Sequence, residues 1–375
     1  MKKVVVVLMI CLGVAAASLV LFQFPVTRAR AASQASGSTA LAADLAGFAS
    51  IDPIDTHTHL FKNDPALYAV MKRLHLHVLD ICVADRYSIF GPLPVEIKRA
   101  LVFVHASQGH AALCTTFDPF KYGQPDFTQN AIKQINENFA EGAIAVKIWK
   151  NIGMELKAPN GKYVMPDDPA FEPIYKDIAA HNKTLVAHLA EPDSCWLPPN
   201  PKSPDYEYYK ENPEWYMYRH PGRPSKQQIL TARDHLVAEN PNLRVVGAHL
   251  GSMERNIDEI ERDLDRYPNF AVDTAARMEY LMLAPRQKAR NFLIKYQDRV
   301  IFGTDTEIKV TDPTPEAIQE WEGEYARDWK FLATDGTLEY KGQKIEGLKL
   351  PGPVLRKIFH DNAVHWFPGI LGSGK

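Results

Sequence analysis

Six residues able to bind a metal or move a proton stand where short apolar runs of this chain stop. They are His57 and His59 in IDTHTHL, Lys147 in AIAVKIW, His188 in TLVAH, His249 in RVVGAH and Asp305 in VIFGTD. An extended strand sends alternate side chains to one face, so Asp55, His57 and His59 share a side and two imidazoles converge on one point. Such donors suit Zn2+ or another divalent transition metal. A lone His-x-His says little, and the chain holds a second copy at His75 and His77, ahead of an apolar run rather than at its end. Polar residues at the C-terminal ends of successive strands, by contrast, mark one rim of a parallel barrel, where active sites of that architecture sit. His75 and His77 fall on the opposite face and are expected to carry no metal.

Alternating helices must hold those strands. The apolar spacing predicts helices over Pro65–Leu74, Pro92–Ser107, Phe127–Glu141, Pro169–Asn182, Ser225–Asn240, Glu254–Tyr267 and Arg286–Gln297, with two more over Pro315–Leu332 and Pro353–Phe367. Strands fall between them, including residues 74–84, 112–117, Ala143–Trp149 and 270–273. About eight alternations describe an α/β chain folded as a (β/α)8 TIM-like barrel over residues 50–368. An open doubly wound sheet also alternates, but it would not distribute six potential ligands around the whole fold. The pleat agrees. If Lys147 points inward, Ala143 and Ala145 do too, while Ile144, Val146 and Ile148 face the helices. Val186 lies inside with His188, and Ile301 and Gly303 lie inside with Asp305.

This set resembles the amidohydrolase superfamily. The wording DTHTHL, ENPNLRVVGAHLGS, IFGTDT and HDNAVHWF is most similar to its second family, which includes amidohydrolase-related decarboxylases. The resemblance implies one or two metal ions held by His57, His59, His188 and Asp305, with Asp305 also accepting a proton from water. It further implies that His249 polarises the substrate carbonyl or binds a second ion. Lys147 as an ammonium has no lone pair to offer. Desolvated and neutral, it can take up CO2, and binuclear members of the superfamily carry a carboxylated lysine at this strand. Asp55, one layer deeper, is expected to brace a ligand imidazole.

Between His188 and the next helix lies an insertion, residues 190–225, rich in tyrosine, tryptophan and proline. A segment of this length within a barrel is expected either to cap the site and set specificity or to pack on a neighbouring subunit in a homo-oligomer. Trp149 and Trp196 are expected to line the pocket, Arg277 to grip a carboxylate, and Glu191 to orient Arg277 or the water. These residues favour a small, carboxylate-bearing substrate.

The chain begins with a basic start and a long apolar run, so residues 1–31 read as a signal peptide cleaved after Ala29-Arg30-Ala31, or as an uncleaved anchor. The expected product is exported, periplasmic or secreted, with membrane contact only if the leader stays. Residues 32–49 read as a linker. Losing Lys2, Lys3, Arg28 and Arg30, and no acid, takes the formal charge from -2 to -6, which disfavours nucleic acid as partner. Cys82, Cys114 and Cys195 remain, an odd number without a zinc or redox spacing, either buried hydrophobes or two of them paired. The leading expectation is a metal-dependent hydrolase of a small ester, lactone or amide. A single-metal decarboxylase of an aromatic or unsaturated acid is the rival, and a metal-dependent nuclease is disfavoured by the acidic charge.

Overall fold

The computed structural model describes residues 41–86 and 91–372, so the expected leader and the first half of the expected linker lie outside it. Eight short runs rich in β-branched residues form β1 (Ile54–Leu60), β2 (His77–Ile81), β3 (Ala111–Thr116), β4 (Ala145–Ile148), β5 (Thr184–Ala187), β6 (Arg244–Gly247), β7 (Phe270–Asp273) and β8 (Val300–Ile301). A further short strand, β9 (Thr306–Ile308), continues the eighth run, and all nine belong to one parallel sheet in the order β8-β7-β6-β5-β4-β3-β2-β1-β9. The eighth run closes the ring: β8 pairs with β7 and β9 pairs with β1. Between them the Thr56 N–H donates to Phe302 O at 3.0 Å and the Asp305 N–H donates to His57 O at 2.8 Å. Gly303 permits that approach, since a Cβ there would lie 2.9 Å from the Cβ of His57. The result is the TIM-like barrel expected from the alternation.

Helices cover the outside and bury Val146, Ile148, Leu185, Val245 and Val272 against the strands. Ala145, Val186, Val246 and Ile301 fill the interior together with Trp366, Phe367 and Ile370. The hydroxyl of Thr184, the first residue of β5, donates to Trp366 O, so this C-terminal segment plugs the end of the barrel opposite the ligand rim. Val146, Ile148, Leu185, Val186 and Ile301 keep the phase read from the pleat. Ala143 and Ile144 do not: β4 starts only at Ala145, so Ala143 packs on the helix side and Ile144 with the interior.

Two local expectations are corrected and one element is added. Residues 41–49 are helical rather than linker, because Leu45 and Phe48 form an apolar stripe, and Phe48 stacks on Tyr325 at 4.7 Å between ring centres. The helix expected over Pro353–Phe367 is divided into Gly352–Arg356 and Asn362–Trp366 by a wide turn at Lys357–Asp361. A hairpin, β10 (Thr337–Tyr340) and β11 (Gln343–Glu346), was not foreseen; its turn puts Lys341 and Gly342 at φ 48° and 73°, the left-handed pair that a two-residue hairpin loop uses.

Cys82, Cys114 and Cys195 are buried and free. Cys82 packs outside the sheet and Cys114 inside it, which keeps their sulfurs apart although the strands are neighbours. Among the described residues no helix is long and apolar enough to cross a membrane.

Candidate metal centre

The C-terminal ends of β1, β4, β6 and β8 bring His57, His59, Lys147, His249 and Asp305 to one point. Donor atoms of His57, His249 and Asp305 lie within 4.8 Å of one another. Asp305 Oδ1 stands 3.3 Å from both His57 Nε2 and His59 Nε2. Each cage imidazole is fixed from behind. His57 Nδ1 meets Asp273 Oδ2 at 2.8 Å, His59 Nδ1 meets Ile81 O at 2.8 Å, and His249 Nδ1 meets Ala275 O at 2.9 Å. With Nδ1 donating outward, the Nε2 lone pair of each ring faces the cage, the tautomer that a cation requires.

The rim backbone is bent to achieve this. His249 and Asp305 adopt left-handed φ values of 61° and 72°, as do Ala190 and Ala276 at 64° and 50°. Non-glycine residues held there store roughly 1–3 kcal/mol each, and such outliers cluster at functional sites.

The electrostatics suit a cation. Burial disfavours charge on His57, and the neighbouring Lys147 adds to it, so its pKa is lowered. Burial likewise holds His188 and His249 well below the usual imidazole range. Asp305 moves the other way: burial acts to raise it, but the imidazoles, His249 first, hold it well below the usual carboxylate range. His59 is the exception: burial acts to lower its pKa, but the hydrogen bond and charge of Asp305 raise it. Neutral His57, His188 and His249 beside an ionised carboxylate are in the states that ligate. Burial also lowers Lys147, which is 1% exposed with its Nζ 3.0 Å from His57 Nε2. A neutral amine there is a precondition for carboxylation.

His188 joins less directly than expected. Its Nδ1 lies 3.1 Å from His249 Nε2, while its buried Nε2 has no hydrogen-bond partner among the described residues and faces Glu191 Oε1 at 3.8 Å. His188 thus turns Nδ1 to the cage side and Nε2 to Glu191, and it is the three inward Nε2 atoms with the Asp305 carboxylate that fit a divalent cation.

Asp55 does not brace an imidazole. Its carboxylate accepts from the backbone N–H groups of His57 and Thr304 and from the hydroxyls of Thr304 and Tyr325, which fixes the backbone of β1 and of the eighth run. Lying one layer deeper, it meets main chain before it meets a ring. The bracing carboxylate is Asp273, whose Oδ1 also accepts from the His249 N–H at 2.7 Å. Asp273 ends β7 just as the ligands end their strands, so the strand-end rule places it on this rim, though not behind His57.

Trp149 reaches the rim, 6.3 Å from His188 and edge-on to Trp215 of the insertion at 4.9 Å. Trp196 is held inside the insertion, its indole N–H donating to Pro224 O at 3.2 Å, and Trp215 meets Trp149 in its place. Arg277 is buried, with Nη2 3.7 Å from Glu191 Oε2 and its Nε without a partner among the described residues. His75 and His77 stay at the other end. His75 is 65% exposed beside Asp52, and His77 packs on His110 at 5.0 Å and bonds Gly109 O.

A parallel barrel with a His-and-Asp cage on its C-terminal rim defines a metal-dependent enzyme class. The model of the second amidohydrolase family matches residues 54–369, so the chain belongs to that family and is an enzyme. No curated protein sequence matches it. Among solved structures it is similar to an amidohydrolase II, at 16% identity and a TM-score of 0.51, covering 84% of this chain and 99% of that one. It is also similar to a 2,6-dihydroxybenzoate decarboxylase from Rhizobium, at 13% identity and 0.49, covering 84% and 98%. A third is a dihydroxybenzoic acid decarboxylase from a Polaromonas species with bound manganese, at 13% and 0.49, covering 84% and 96%. At these identities the likeness concerns the fold.

Proposed function

We propose that this enzyme hydrolyses a small, carboxylate-bearing ester, lactone or amide at a divalent metal, Zn2+ or a similar ion, held by His57, His59 and Asp305. His188 and His249 are further donors on the same rim. The carrying observation is Asp305 Oδ1 at 3.3 Å from the Nε2 atoms of both His57 and His59. When bound, such an ion makes a water acidic enough to attack near neutral pH and polarises a carbonyl. The chain's own residues do the rest. Asp305, kept ionised, accepts the proton of the attacking water. His249, anchored at both its backbone N–H and Nδ1, presents the lone pair of Nε2 to the ion side of the rim. Arg277 offers its unpartnered Nε to a substrate carboxylate, and Trp149 and Trp215 form an apolar wall that limits water access. Lys147 as a carbamate would bring a second ion; as an amine, 3.0 Å from His57 Nε2, it would give up that contact when His57 ligates. In the same reading the leader exports the enzyme.

The edge-to-face wall of Trp149 and Trp215 favours a second reading, decarboxylation of a planar aromatic acid at one ion. Turnover of a panel of carboxylated esters, lactones, amides and aromatic acids in 18O-labelled water separates the two. Hydrolysis puts one label into the acid product, whereas release of CO2 with no label in the remaining product supports the decarboxylase.

A further inference from the structure

The insertion and the barrel meet at a lysine distinct from the cage. Lys150, just past the end of β4, is 2% exposed. Its ammonium donates to Glu191 Oε1 at the start of the insertion, three residues past His188, and, at 2.5 Å, to the hydroxyl of Tyr208 further along it. It also lies over the rings of Trp149, Tyr208 and Trp215 at 5.1, 4.9 and 4.9 Å. Two of these rings come from the insertion and one from the barrel. A buried ammonium is tolerated only when paired and bonded, so this contact holds both parts to a single geometry.

The other side of the cluster shows what is being held. Glu191 Oε2 takes the Tyr209 hydroxyl at 3.3 Å and faces Arg277 at 3.7 Å, while Oε1 stands 3.8 Å from the unpartnered His188 Nε2. With Lys150 on Oε1 as well, both carboxylate oxygens are engaged, which makes Glu191 a hub between ligand rim, arginine and insertion rather than a free group for substrate.

We propose that Lys150 is a positioning residue: it clamps the insertion over the rim and holds Glu191 at His188 and Arg277, so that the Trp149–Trp215 wall and the His188 orientation depend on a side chain that touches no substrate. The proposal rests on the reading of this rim as the metal centre, but its test needs no turnover.

The test uses the full-length protein loaded with Co2+, with the variants Lys150→Met, Lys150→Arg and Tyr208→Phe. Two readouts are taken, amide hydrogen exchange and the visible Co2+ spectrum. In Lys150→Met, exchange across residues 206–219 should rise roughly tenfold or more while the strands stay protected, because one partner of a buried charge pair is gone. The Co2+ bands should shift as well, and Lys150→Arg should restore both. Tyr208→Phe removes one bond without unburying a charge, so it should raise exchange over the same residues by a smaller factor even if Lys150→Met does not fold. Unchanged exchange in Tyr208→Phe and in any folded Lys150→Met would refute the clamp. Faster exchange with an unshifted spectrum would refute the positioning role and leave a purely structural lysine. A wild-type protein that takes up no Co2+ would refute the metal centre itself, a failure distinguishable from the other two.

Discussion

The same three-residue pattern, His-x-His, occurs at both ends of this barrel and does different things. At the C-terminal end of β1, His57 and His59 are largely enclosed, their Nδ1 atoms fixed by Asp273 and by Ile81 O, and their Nε2 atoms converge on Asp305. At the N-terminal end of β2, His75 is 65% exposed beside Asp52, and His77 packs on His110 and bonds Gly109 O, so the two rings point to different partners. The motif alone therefore carries no function. Its place on the strand decides, because only the C-terminal rim receives polar side chains from the neighbouring strands.

Breaking the first copy should have the largest effect. His57→Ala or His59→Ala should abolish metal binding and lower activity by roughly three orders of magnitude or more, read by elemental analysis and turnover. Asp305→Asn should come next, costing about 10²–10⁴-fold in kcat with the fold retained by circular dichroism, since it removes the proton acceptor. Asp273→Asn tests whether the support behind His57 matters. It should weaken metal affinity roughly 10–100-fold, measured by chelator competition.

A smaller effect separates a carboxylate held among several imidazoles from one where burial outweighs its partners. Glu96 lies near the cage at the end of β2, its Oε1 accepting the Val83 N–H at 2.7 Å, and burial pushes its pKa up to about 7. The folded state then holds a proton that the unfolded chain has already released. Stability is full at low pH and falls as pH rises from the ordinary carboxylate value through about 7. Glu96→Gln should therefore reduce the loss of unfolding free energy between about pH 5 and pH 8 by about 1–3 kcal/mol, measured by urea titration.

The contrast also shows what was legible in the sequence. Strand ends were, because an apolar run followed by a ligand residue fixes both pleat and rim, and β1, β4, β5, β6 and the eighth run obeyed it. Contacts made across long sequence distances were not. Asp273 supports His57 from 216 positions away, and the same distance rule hid the pairing of His188 with His249. Lys150 carries no sequence signal, since nothing local marks an ammonium that three rings from two segments enclose. Phe48 read as linker because its partner ring, Tyr325, lies at the far end of the chain.

Metal stoichiometry of the wild type, of a His57→Ala/His59→Ala double variant and of a His75→Ala/His77→Ala double variant, all purified alike, tests the central claim most directly. The wild type and the His75→Ala/His77→Ala protein should hold the same amount of divalent ion, and the His57→Ala/His59→Ala protein none. Equal metal in all three, or loss on changing His75 and His77, would contradict it.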